Sequence, residues 1–127
     1  MTAPSWMSAM LAEFGKGARL PGLAFNNRDA AAITFENGHV LRFEYSQGVL
    51  SVIMAVPVHL DPERAKSLLA FAHPKAKFGF RVRAGYLSRR QEAVFVVRLD
   101  ERNVTLPVVN QAFAALWRIA QEFGGVQ

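Results

Sequence analysis

Cysteine is absent from this 127-residue chain, which excludes disulfides, thiolate metal sites and a cysteine nucleophile and fits a reducing compartment. Long apolar runs are missing too. The most apolar stretch, residues 49–58, is about half of the roughly 20 residues that a spanning helix needs, so no membrane span is expected. The N-terminal residues 1–14 include Glu13 and lack a basic start followed by an apolar core, so they do not read as a signal peptide and the cytoplasm is the expected location. There is no internal repeat or low-complexity segment. A chain of this length fits one domain, expected over residues 1–127, that buries roughly two thirds of the surface its unfolded form exposes.

Acids are scarce in the second half. Residues 1–63 hold four bases and six acids, whereas residues 64–127 hold eleven bases and four acids. Arg64, Lys66, Lys75, Lys77, Arg81, Arg83, Arg89 and Arg90 follow one another with no acid among them, which predicts either a basic face or a plain solvated surface. A nucleic-acid-binding α+β domain is one reading of that charge. The stretch lacks evenly interleaved aromatics, a helix-turn-helix pattern and zinc spacing, so an acidic protein partner is the preferred one.

Residues for chemistry are also missing. His39, His59 and His73 have no ligand spacing, so no metal is expected. Asp100 and Glu101 stand beside Arg98 and Arg102 and read as a surface charge cluster rather than a catalytic pair. No phosphate loop or nucleophile elbow occurs, and Asn103-Val104-Thr105 is a glycosylation sequon that is inert in the cytoplasm. No catalytic residue and no cofactor are expected. What is present in excess is apolar side chain, 51% of the chain, more than a one-sided sheet and three helices obviously cover, and exposed apolar patches mark protein-binding sites. Helices on both sheet faces are the alternative outlet.

Periodicity predicts the elements. Trp6, Met7, Met10, Leu11 and Phe14 make a helical stripe over residues 5–14, stopped by Gly15 and Gly17. Strands follow at 31–36, 39–45 and 49–56, with Asn37-Gly38 expected as a type I′ turn and Ser46-Gln47-Gly48 as the next connection. The third of these strands is apolar on both faces. Asp61-Pro62-Glu63 opens a second helix striped by Ala65, Leu68, Leu69 and Ala72 and closed by Pro74. A hairpin, 80–87 and 93–99, precedes a last helix over 106–123, capped by Thr105, with Phe113, Leu116 and Trp117 expected in the core and Trp6 nearer the surface. The fold class is α+β, in the order α-β-β-β-α-β-β-α, a twisted antiparallel sheet packed with three helices.

That order, the size and the lack of cysteine resemble the class I type III secretion chaperones of the CesT/SycE-like fold. About 45 residues of the C-terminal third are similar to the SycN family: Arg83-Ala84-Gly85-Tyr86-Leu87, Val94-Phe95-Val96-Val97, Leu99-Asp100-Glu101-Arg102, Thr105-Leu106-Pro107 and Asn110-Gln111-Ala112-Phe113. The resemblance implies a non-enzymatic chaperone that pairs with a second, YscB-like subunit and binds the N-terminal region of a secreted, YopN-like gatekeeper, keeping it secretion-competent and regulating secretion. A homodimeric effector chaperone is the alternative. Such chaperones are commonly acidic, so the basic character of this chain favours an acidic partner subunit or client. The implied client surface is Trp6, Met10, Leu11 and Phe14 with Leu41, Phe43, Val52 and Met54, although core filling suits Phe14 better. Met7, Met10 and Met54 suit a tolerant surface. The implied dimer interface is Ala65, Leu68 and Leu69 with Arg81, Arg83 and Tyr86.

Overall fold

A computed structural model describes residues 2–71 and 79–124. The expectations placed on Ala72, His73, Pro74, Lys75 and Lys77 lie outside the described residues. Helix α1, Ser5–Gly17, buries Met7, Met10, Leu11 and Phe14 along one stripe. It runs three residues past the expected end, because Gly15 is a packing residue. A Cβ there would stand 2.8 Å from the Leu20 carbonyl oxygen and 3.2 Å from Leu23 Cβ. The helix closes beyond it, where Arg19 turns left-handed (φ 59°) and the Leu20 N–H donates back to the Gly15 carbonyl at 2.7 Å.

Five strands follow: β1 (Ala30–Thr34), β2 (Val40–Ser46), β3 (Val49–Pro57), β4 (Val82–Leu87) and β5 (Glu92–Asp100). They form one antiparallel sheet in the order β1-β2-β3-β5-β4, which leaves β1 and β4 as edges. Helix α2 (Pro62–Phe71) separates β3 from β4, and α3 (Leu106–Gly124) ends the order, so the class and succession are those expected from the sequence. Both later helices start as their sequences dictate. Asp61 Oδ1 accepts from the Arg64 N–H at 2.8 Å, and Thr105 Oγ1 from the Val108 N–H at 3.3 Å.

The hairpin turns exchange roles. At Asn37-Gly38 only the glycine takes positive φ (89°), and Phe35 N–H donates to His39 O while Gly38 N–H donates to Phe35 O. That is a three-residue loop closed by a left-handed glycine, which ends β1 at Thr34, short of residue 36. The type I′ turn is Gln47-Gly48, with φ 50° and 78° between the paired Ser46 and Val49.

All three helices lie on one face of the sheet: α3 packs on β3 and β5, α1 on α3, and α2 on α3 and β4. Leu41, Phe43, Leu50, Val52, Met54, Phe95 and Val97 point into that layer and are buried. The alternative of helices on both faces is not realised among the described residues. Residues of opposite parity in β3 and β5, Ile53, Val94 and Val96, are half-buried on an open face. There Arg42 of β2 reaches across β3 to Glu92 of β5 at 3.0 Å, over Ala55, which has no exposed surface. No helix among the described residues is long and apolar enough to cross a membrane.

Candidate functional site

Seven of the eight client-surface candidates are core residues: Met10, Leu11, Phe14, Leu41, Phe43, Val52 and Met54 are buried, and so is Met7. The physical reason is that α1 and the inner sheet face satisfy one another within the chain. Phe14 lies edge-on to Phe43 at 5.5 Å between ring centres. Trp6 keeps 46% of its surface.

An accessible apolar site does exist, one helix away. Phe14 also packs edge-on against Phe113 of α3 at 5.5 Å, and from Phe113 a chain of rings leads outward. Phe35, just past the end of β1, stacks on Phe113 at 6.2 Å and meets Trp117 edge-on at 5.0 Å. These rings and Ala114 line a groove of about 390 Å³. Phe35, Phe113 and Trp117 are each half-buried, so Trp117 is a groove wall rather than the core residue expected. Beside the groove runs β1, an edge strand whose outer side has no strand partner among the described residues. Sequence reasoning missed this site. Its signal was the pair Phe113 and Trp117, four apart on α3 and so on one helical face, together with an aromatic at the rim of the Asn37-Gly38 turn.

His39 lies next to one wall of the groove, its ring centre 6.3 Å from that of Trp117. Its Nδ1 is buried without a hydrogen-bond partner among the described residues, and burial holds its pKa below the usual 6.5. The unfolded chain therefore takes up the proton first as pH falls. The stability that neutral His39 contributes is complete above about 6.5 and is lost as pH drops through the lower folded value. Denaturant melts at about pH 7.5 and 5.5 should show a larger loss for the wild type than for His39→Gln.

The dimer-interface candidates divide in two. On α2, Leu68 is buried, Ala65 is half-buried and Leu69 exposes 72% of its surface. On β4 the half-buried Tyr86 donates its hydroxyl to the Val58 carbonyl at 3.1 Å, whereas Arg81 and Arg83 are exposed on the open sheet face. The basic stretch of the sequence is thus no single face: Arg64 and Lys66 ride on α2, Arg81 and Arg83 stand at the β4 edge, and Arg89 and Arg90 occupy the β4–β5 turn.

The acid pair also separates. Asp100 accepts from the Arg102 N–H at 2.9 Å and from its guanidinium at 3.1 Å, which lowers the Asp100 pKa. Glu101 accepts a hydrogen bond from the Tyr45 hydroxyl, which raises the tyrosine pKa. Asp29, unremarked in the sequence, is buried with φ 56° and accepts from the Ala3 N–H at 3.0 Å, tying the start of the chain to β1.

The family of the type III secretory system chaperone SycN matches residues 6–124. The chaperone protein SycN of Yersinia enterocolitica is 51% identical over 41 residues, which are 32% of this chain and 32% of that protein, so the aligned part spans about a third of that relative's length. Among solved structures, the ExsC–ExsE complex superposes with a TM-score of 0.83 at 18% identity, over 99% of this chain and 96% of that one. The HopA1–SchA chaperone-effector complex gives 0.70 at 13% identity, covering 93% and 92%. The Yersinia pestis type III secretion chaperone SycH, in complex with a fragment of YscM2, gives 0.68 at 14%, covering 94% and 98%. At these identities the structural likeness is one of fold.

Proposed function

Because this chain belongs to the SycN family of type III secretory system chaperones, proteins that bind rather than catalyse, we propose that it acts in the bacterial cytoplasm as one subunit of a chaperone pair with a second, YscB-like subunit. The pair holds the N-terminal region of a secreted, YopN-like gatekeeper in a form ready for secretion and so regulates when secretion starts. The observation that carries the reading is the aromatic groove of Phe35, Phe113 and Trp117 beside the free edge of β1. A client segment loses conformational entropy on binding, and the site that compensates must offer apolar area together with backbone hydrogen bonds. Groove and edge supply one each. The second subunit is assigned to the β4 end of the molecule, where Leu69 of α2 is the most exposed of the large apolar side chains among the described residues.

The test is co-expression with neighbouring reading frames that encode a small chaperone-like protein and a larger secreted one, followed by capture on this chain. Ala114→Glu places a carboxylate in the groove from an exposed position. It should weaken client capture by about tenfold or more, while denaturant melts move by less than about 0.5 kcal/mol. Unchanged capture by the variant would remove the groove from the mechanism.

A further inference from the structure

One corner of the open sheet face gathers three arginines that form no ion pair among the described residues. Arg81 immediately precedes β4 and reaches the same hollow as Arg98 of β5, so like charges that repel one another are gathered there. Arg83 faces the same side one row on, against Val96. The three arginines line one hollow of about 210 Å³ with Val49 and Asp100. Asp100 is engaged by Arg102, and among the described residues no carboxylate forms an ion pair with Arg81, Arg83 or Arg98. Next to them the half-buried Ile53 and Val96 form an apolar strip.

We propose that Arg81, Arg83 and Arg98, with the adjoining strip of Ile53 and Val96, seat an acidic segment of a different subunit and bar pairing with a second copy of this chain. The inference rests on the reading of the chain as one subunit of a chaperone pair, and it names what selects the other subunit. A twofold interface between identical copies sets a surface patch against itself. Here that would bring arginine against arginine on a face that already gathers three arginines round one hollow. A partner with carboxylates at those positions relieves the repulsion within the sheet and gains charge-assisted bonds from the planar guanidinium forks. Position favours the subunit over the client, since this corner lies at the β4 edge next to α2, and the aromatic groove lies at the β1 edge on the helical side. Nucleic acid fits less well. The apolar strip of Ile53 and Val96 beside the arginines offers a phosphate backbone nothing.

A second copy bearing Arg81→Glu, Arg83→Glu and Arg98→Glu supplies an acidic partner of matching shape, and sedimentation equilibrium reads the pairing. The mixture of wild type and reversed copy should associate at least about tenfold more tightly than either alone, with the gain shrinking at high salt. The neutral variant Arg81→Gln, Arg83→Gln, Arg98→Gln should self-associate more tightly than the wild type. All three positions are exposed, and circular dichroism checks that each variant is folded. A mixture no tighter than the wild type alone overturns the proposal, as does a wild type that pairs with itself as tightly as the mixture. So does a short DNA duplex that binds the wild type at physiological salt and is released by the reversal. Client capture is read separately through Ala114→Glu, so a chain that captures no client yet pairs with its reversed copy defeats the client reading and keeps this one.

Discussion

Replacing Phe14 by alanine should lower the free energy of unfolding by about 3–5 kcal/mol, whereas Trp6→Ala in the same helix should change it by less than about 1 kcal/mol. Phe14 has almost no exposed surface and touches two rings, Phe43 below it in the sheet and Phe113 beside it on α3. Its loss opens a cavity where α1, α3 and β2 meet, three elements that cannot all move inward to fill it. Aromatic pairs of this geometry add about 0.5–1.5 kcal/mol each beyond the area they bury. A domain of this kind has about 5–15 kcal/mol in total, so the alanine variant should melt far below the wild type and lose client binding only because it unfolds. Trp6 is half-exposed, and its truncation removes surface contact alone. Urea melts of the two variants check the contrast, and equal losses would mean that Phe14 is not the core residue its surroundings make it.

That contrast shows what periodicity reads and what it does not. The stripe of α1 was legible because residues three and four apart fall on one face of a helix, and the alternation of Leu41, Phe43 and Tyr45 was legible because one face of β2 is dry. Periodicity marks a face as apolar without naming what covers it. The inner faces of α1 and β2 cover one another inside the chain, and the apolar groove that stays accessible is walled by Phe35, Phe113 and Trp117. These come from a turn and a distant helix, and no local pattern links them. The glycines illustrate a second gap. Gly15 and Gly38 have the same chemistry, yet one is needed because a carbonyl approaches and the other because φ is positive, and only the three-dimensional neighbours distinguish those causes. Gln47 was no candidate for the left-handed region on propensity, but the two-residue loop between Ser46 and Val49 demands it.

Charge was legible in amount and not in arrangement. The eight bases of residues 64–91 suggested one face, but α2 packs against β4 on the helical side of the sheet while Arg83 stands on the open side, and that open face draws Arg98 and Arg42 from outside the stretch. Arg98 looked like part of a neutral cluster with Asp100, Glu101 and Arg102. Just past the end of β5 Glu101 turns to Tyr45, and Arg102 claims Asp100, which leaves Arg98 without an ion pair among the described residues, in one hollow with Arg81.

Glu92→Ala should be the most damaging single change on the open face, at about 2–3 kcal/mol. Glu92 retains 8% of its side-chain surface and Arg42 20%, so both have given up most of their water, and Arg90 at 3.9 Å adds a second, more exposed cation. Removing one member of a buried pair costs about 3–5 kcal/mol because the other charge stays desolvated without a partner. Arg42 can recover some hydration by swinging outward, and that sets the smaller figure. The same movement uncovers Ala55, which the ion pair shields from solvent. The cost should therefore come from stranding Arg42 more than from losing attraction, and a double-mutant cycle separates the two. Arg42→Leu with Glu92→Leu replaces both charges by apolar groups on an already apolar strip and should melt closer to the wild type than Glu92→Ala does. If the double variant is instead the less stable of the two, the attraction itself, across β3 from β2 to β5, holds this face of the sheet together.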